Sequence, residues 1–160
     1  MPASIYSVAG TKVYIGGVMT AKVTNFVAAD FNIESWTSIS WLENIGQFGD
    51  EASEIAFSPI DVNRTLKLKG VYNAGNMTIV AGRDYTDSGQ GILLTASQAI
   101  YDYGFRVILN DMPSGGVAGS IRYFIGKVMM FREQYDTVNN VVRVNATIGI
   151  NSNIVSVNAH

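Results

Sequence analysis

No cysteine occurs among the 160 residues. Disulfides, thiolate zinc sites and a cysteine nucleophile are thereby excluded, and the absence fits folding in a reducing cytoplasm. Histidine occurs once, as the last residue, His160. A serine nucleophile needs a base held beside it, and a chain end is a poor place to hold one. A Ser–His–Asp triad is therefore not expected. A two-carboxylate hydrolase needs two acids at a set separation in space, and nothing singles out a pair among the 13 acids. No segment approaches the ~18 apolar residues of a membrane span. The start, Met1-Pro2-Ala3-Ser4-Ile5-Tyr6, lacks a basic region and a long apolar stretch, so no secretory leader is expected.

Charge is also scarce. Only 15% of residues are charged, against about 25% in an ordinary soluble domain. The net charge is -2, with 11 basic residues scattered among 13 acids. Duplex-binding proteins cluster Lys and Arg to displace counterions, and no such cluster is present. A chain with few charges and positive mean hydropathy covers its surface with neutral groups. Such surfaces are often interfaces, whose cores are depleted of charge. The alternative is a monomer with a neutral skin rich in Asn, Ser and Thr.

What is present is mostly strand. Val138, Asn140, Val142, Val144, Ala146, Ile148 and Ile150 alternate with Asn139, Val141, Arg143, Asn145, Thr147 and Gly149, a long period-two strand. Ile121–Phe131 reads as its partner, with Glu133–Thr137 as the hairpin loop. In Val62–Lys69, Leu66 and Leu68 face one way and Thr65, Lys67 and Lys69 the other. Shorter strands are expected at Lys12–Ile15, Val18–Val27, Ile33–Trp41, Met77–Ala81 and Phe105–Leu109. One segment breaks this pattern. Ile92, Ala96 and Ile100 recur at helical spacing, and Gly104 supplies a stop. The expected fold is mainly β, a single domain over 1–160. It is an antiparallel sandwich or barrel-like sheet whose open side is covered by one α-helix at about 88–102. Asp111–Gly119 is expected to be the most flexible loop.

The stretch before that helix, Asp84-Tyr85-Thr86-Asp87-Ser88-Gly89-Gln90-Gly91, collects residues that binding sites use. A calcium loop needs more carboxylates and a closing glutamate. A Walker loop needs Lys and then Ser or Thr after its last glycine, where this chain has Ile92-Leu93. The dinucleotide fingerprint needs a third glycine and a parallel sheet. No metal or cofactor is therefore expected. A helix start explains the residues better. Asp87 is the expected N-cap, accepting from the N–H of Gln90, and the Gln90 side chain reaches back to complete a capping box. Trp36 and Trp41 lie five apart, on opposite faces of an extended strand, so they form no single platform for sugars or bases. Core or interface packing is the expected use of both.

The order of features resembles one family. Trp41-Leu42-Glu43-Asn44-Ile45-Gly46-Gln47-Phe48-Gly49-Asp50-Glu51 is followed by a segment ending Leu66-Lys67-Leu68-Lys69-Gly70. Asp87-Ser88-Gly89-Gln90 and the helix come next, then Tyr103-Gly104-Phe105-Arg106-Val107. Tyr123-Phe124-Ile125-Gly126-Lys127-Val128 and Val141–Ile150 close the chain. Over nearly its whole length the chain resembles the tail tube proteins, or major tail proteins, of long non-contractile-tailed, lambda-like bacteriophages. The resemblance implies a β-sandwich with a flanking helix. It implies hexameric rings stacked into a hollow tube for the genome, no catalysis and no cofactor. Some relatives add a C-terminal immunoglobulin-like domain, and none is expected here.

The resemblance further implies a tape-measure protein and tail terminator and initiator proteins as partners. Double-stranded DNA would pass through the lumen without specific binding, and no membrane would be involved. The expected location is the virion tail, after synthesis in the host bacterial cytoplasm. The family's long hairpin, which reaches neighbouring subunits, maps to Ser58–Tyr72. It carries Pro59, Asp61, Arg64, Lys67 and Lys69 as interface candidates. The N-terminal arm, the Phe48–Glu54 turn with Phe48, Asp50 and Glu51, and the Asp111–Gly119 loop with Met112 and Pro113 are further candidates. A polyanion slides best past neutral or acidic walls, so Arg64, Lys67 and Lys69 are expected to lie off the lumen. The alternatives are a tube subunit of a gene-transfer particle or injection system, a monomeric β-sandwich ligand-binding module and, last, an enzyme.

Overall fold

The computed structural model describes residues 5–160. Met1–Ser4, the start of the N-terminal arm, lies outside the described residues. In chain order the strands are β1 (Lys12–Val18), β2 (Thr37–Ile39), β3 (Leu42–Asn44), β4 (Glu51–Phe57), β5 (Leu66–Asn73), β6 (Asn76–Gly82), β7 (Tyr103–Ile108), β8 (Ile121–Gln134), β9 (Arg143–Ile150) and β10 (Val155–Val157). Helix α1 (Ser88–Gln98) joins β6 to β7, and one 3-10 turn spans Ala28–Phe31.

Eight strands form one antiparallel sheet in the order β2-β1-β7-β8-β9-β6-β3, with β10 added to the start of β8. The two ends of this row, β2 and β3, are separated in sequence only by Ser40-Trp41. The sheet must therefore curl until its edges nearly meet, which makes it barrel-like. Register shifts between Ile15 and Val18 in β1 and between Val128 and Met130 in β8 mark bulges. Bulges bend strands and increase their twist, as the curl requires. In β9 the period-two pattern becomes burial directly. Val144, Ala146, Ile148 and Ile150 face the core and alternate with half-buried neighbours. Val13, Ile15, Ile79, Phe105 and Phe124 fill the interior with them. The rings of Phe105 and Phe124 stack at 5.5 Å.

Helix α1 packs on β8, β2 and β1 and adds Leu93 and Ala96 to this core. It ends four residues earlier than its apolar spacing suggests. Ala99 is already extended, and Ile100 is 79% exposed. Tyr103 must enter β7 opposite Gly126, so the chain turns before the stripe is complete.

Two expected strands are replaced. Val18–Val27 keeps only Val18, the end of β1, as strand and is a loop over 19–27, and Ile33–Trp41 keeps only Thr37–Ile39 as strand. Phe26 and Phe31 bury against Ile125 on the outer face of the sheet, with Trp36 and Tyr123 beside them, as a second core. Phe31 stacks on Tyr123 at 4.9 Å. Burying two rings outweighs the β propensity of an isolated run. Asp30 secures the 3-10 turn by accepting from the N–H of Val27 at 2.8 Å and from Lys22 at 2.6 Å. The β8–β9 turn is also longer than expected. It runs over 135–142, and Val138 stands 98% exposed.

Candidate assembly surface

Among the described residues strands β4 and β5 pair only with each other, as a separate two-stranded ribbon with a loop at 58–65. Leu66 lies opposite Phe57 and Leu68 opposite Ile55, so these four share one face. All four are exposed, as are Ile60 and Val62 in the loop. On the other face Lys67 pairs with Glu54 at 3.2 Å, beside Lys69. An isolated two-stranded hairpin is marginal in water, and exposed contiguous apolar patches mark contact surfaces. The arm begins at Glu51, seven residues earlier than the mapped Ser58, because Glu51–Phe57 supply its first strand.

The other candidates divide by burial. Asp50, Glu51, Asp61, Arg64, Lys67, Lys69, Met112 and Pro113 are exposed, and Pro59 is half-buried in the arm's loop. Phe48 is half-buried, with its ring 5.4 Å from Phe124, so its apolar surface is largely spent on the core. The Asp111–Gly119 loop is tied at both ends. Asp111 accepts from the backbone of Ser120 at 2.6 Å and from its hydroxyl at 2.5 Å, and these bonds hold its carboxyl below the usual carboxylate range. Within the loop, Val117 and Ala118 donate to the carbonyl of His160.

The stretch before α1 organises the corner where the sheet edges meet. Asp87 is the N-cap and accepts from the N–H of Gln90 at 3.0 Å. It also accepts from Ser40 at 3.3 Å. The Gln90 side chain does not return to Asp87, which corrects the expected capping box. It is fully buried instead. Its amide donates to the carbonyls of Ser40 and Gly82, and its oxygen accepts from Arg83 and from the N–H of Asp84. The pull of four partners across two segments exceeds that of one backbone N–H. Gly89 lets α1 lie directly on β2: a Cβ there would stand 2.1 Å from the carbonyl oxygen of Ser38. With Asp84 and Asp87 occupying the helix start, an incoming phosphate would meet two carboxylates.

Trp41 sits at this corner with φ 61° and is 70% exposed. A bulky residue in the left-handed region is strained by roughly 1–2 kcal/mol. Its indole N–H donates to Asp84 at 3.0 Å, and Asp84 also accepts from the backbone and hydroxyl of Thr86. The Thr86 hydroxyl, then its backbone and then Trp41 hold the Asp84 carboxyl low. Nearby, the side chain of Arg83 is 7% exposed and pairs with Glu133 at 2.8 Å. The Tyr135 hydroxyl and Arg83 keep Glu133 ionised, and Tyr135 is pushed up to about 12 in return. Glu43 is held low by Arg143, its partner at 2.5 Å. Trp41, Tyr85, Val141, Arg83, Asp84 and the Glu43–Arg143 pair border an open cleft of about 670 Å³. The left-handed turn that carries Trp41 had no sequence signal, because glycine or asparagine usually marks one. Among the described residues no group of three or more His, Asp or Glu side chains converges as a metal site, and no helix is long and apolar enough to cross a membrane.

No family model and no curated protein matches the chain by sequence. Solved structures match its fold. A chain of the six-fold symmetrised anti-feeding prophage baseplate superposes with a TM-score of 0.71 at 10% identity, covering 99% of this chain and 98% of that one. A chain of the SPP1 tail tube gives 0.67 at 12% identity over 96% and 80%. A chain of a native gene transfer agent virion gives 0.60 at 11% identity over 76% and 88%. The fold is thus one shared with components of phage tails and related injection systems.

Proposed function

We propose that this chain is the tube-forming subunit of a phage tail, assembled as stacked hexameric rings around a lumen for genome passage. The β4–β5 arm carries the proposal: a ribbon with four exposed apolar side chains on one face has no strand partner outside itself among the described residues. The fold shared with an SPP1 tail tube chain over nearly the whole length supports it. The sequence resemblance favours the non-contractile, lambda-like kind. In this assembly the tape-measure, terminator and initiator proteins are partners, and Arg64, Lys67 and Lys69 face away from the DNA. The chain does structural work and has no enzymatic role.

A second form of the proposal, a tube subunit of a contractile injection system or gene-transfer particle, is favoured by the fold matches to a chain of an extracellular contractile injection system and a chain of a gene transfer agent virion. A sheath around the tube of the native particle distinguishes the contractile form. Electron microscopy of the concentrated protein and of the native particle tests both. The expected result is rings or tubes of uniform bore containing this chain. Absence of the chain from the tail of purified particles overturns the proposal.

A further inference from the structure

We infer that the cleft bordered by Trp41, Tyr85 and Val141 binds a neutral saccharide, a short chain of uncharged hexose-type units, with the Trp41 ring as its stacking platform. This goes beyond the tube reading and stands or falls apart from it. The cleft measures about 670 Å³, within the roughly 300–1,000 Å³ of small-ligand sites. Trp41 is exposed, although Trp is among the side chains with most to gain from burial. Its left-handed backbone holds it there, and strain of this kind gathers where function needs a side chain in place. Its indole N–H is spent on Asp84, so what the ring still offers is its apolar face. Tyr85 is exposed on the same cleft, with Arg83 over its ring at 4.3 Å. Aromatic faces carry partial negative charge, and the C–H side of a pyranose lies flat on them.

The polar lining selects the class of ligand. Arg83 and Arg143 balance Glu43 and Asp84. Each charge is already matched: Arg83 by Glu133, Glu43 by Arg143, and Asp84 by its bonds from Trp41 and Thr86. No excess of either sign is left to draw in an anion or a cation. The same groups still have hydrogen bonds to give. Arg143 spends only part of its guanidinium fork on Glu43, and each carboxylate has more lone pairs than bonds. A hydroxyl both donates and accepts, so neighbouring hydroxyls of a sugar meet guanidinium and carboxylate together. An apolar protein face laid over these groups would remove their water and return no hydrogen bond. Trp41 is fixed before any ligand arrives, so little side-chain freedom is lost on binding.

Saturation-transfer difference NMR reads weak sugar binding on the full chain, assembled or not. The probes are maltotriose, cellotriose, mannotriose and chitotriose, each alone, with trigalacturonate as the charged comparison. Irradiation of the aromatic protons should pass saturation to the ring C–H protons of at least one neutral trimer, and less to trigalacturonate. Trp41→Gly keeps the left-handed backbone without strain. It should cut that transfer on the order of tenfold or more, as loss of a central anchor does, at an unfolding midpoint no lower than the parent's. Should that variant misfold, Tyr85→Ala, at an exposed ring, should lower the transfer as well. No transfer to any neutral trimer overturns the inference. Transfer unchanged in the folded variants, or strongest to trigalacturonate, overturns it too. Micrographs of the same samples keep the two readings apart. Rings or tubes without sugar binding leave the tube assignment standing. Rings lost in Trp41→Gly, with no sugar bound by the parent, give the cleft to a protein face instead.

Discussion

At the scale of single residues, the corner beneath the helix start carries the sharpest expectations. Gln90→Ala removes four hydrogen bonds and strands the carbonyls of Ser40 and Gly82. Buried groups left unpaired cost about 1–3 kcal/mol each, so urea unfolding should show a loss of at least about 2 kcal/mol. Asp87→Ala should cost about 1 kcal/mol, as a lost N-cap does. Gly89→Ala meets fixed backbone at Ser38 and should cost about 1–3 kcal/mol, the range for overpacking. If Asp87→Ala proved more costly than Gln90→Ala, the hub role of Gln90 would be wrong. The Asp87 cap was legible in the sequence because capping is local. The direction of the Gln90 side chain was not, because it is set by the fold bringing Ser40, fifty residues away, beside the end of β6 at Gly82–Asp84.

At the scale of elements, the arm and the body separate. Replacing Ser53–Val71 by Asn-Gly would join Ala52 to Tyr72, already cross-strand partners, through the turn that two-residue hairpins favour. The thermal midpoint should change little, because the large sheet does not include β4 or β5. Electron microscopy should then find no rings. A melt lowered by more than a few degrees would show that the arm supports the body. The two-sided character of β5 was legible from the alternation of Leu66 and Leu68 with Lys67 and Lys69, and the register places those sides as expected. The first arm strand, Glu51–Phe57, was not. Its apolar residues include Ala52 and Ala56 and are interrupted by Ser53 and Glu54, where the register shifts. The loop at Met19–Phe26 misled for the opposite reason: Met19 and Phe26 serve a second core on the outer sheet face, not a strand.

At the scale of the whole molecule, stability should follow pH through carboxylates spread over the surface. Asp30, Glu43, Asp84, Asp111 and Glu133 all have folded values below their ordinary ones. Their contributions are complete above the ordinary carboxylate range and are lost as pH falls through the folded values. Tyr135 has the opposite sign. Its contribution is complete below its ordinary value of 10.0 and is lost as pH rises through about 12. Urea midpoints measured across pH should therefore plateau near neutrality and fall below about pH 4 and again in strong alkali. Midpoints that rise on acidification would contradict the assignment. The mainly β fold with one helix was legible from periodicity. The curl that brings β2 beside β3 was not, because it is decided by register shifts and by non-local pairing of β1 with β7.

Strands β2, β3 and β10 are each three residues long. Unpaired strand edges are templates for foreign chains, and short edges blunt that hazard. The body thus offers little ladder to capture. The arm, with strands of seven and eight residues, offers much more. In the proposed assembly, orderly growth and amyloid-like sticking compete for one and the same ribbon. Whatever covers that ribbon first decides which of them follows, so a free chain is at its most vulnerable before its arm is occupied.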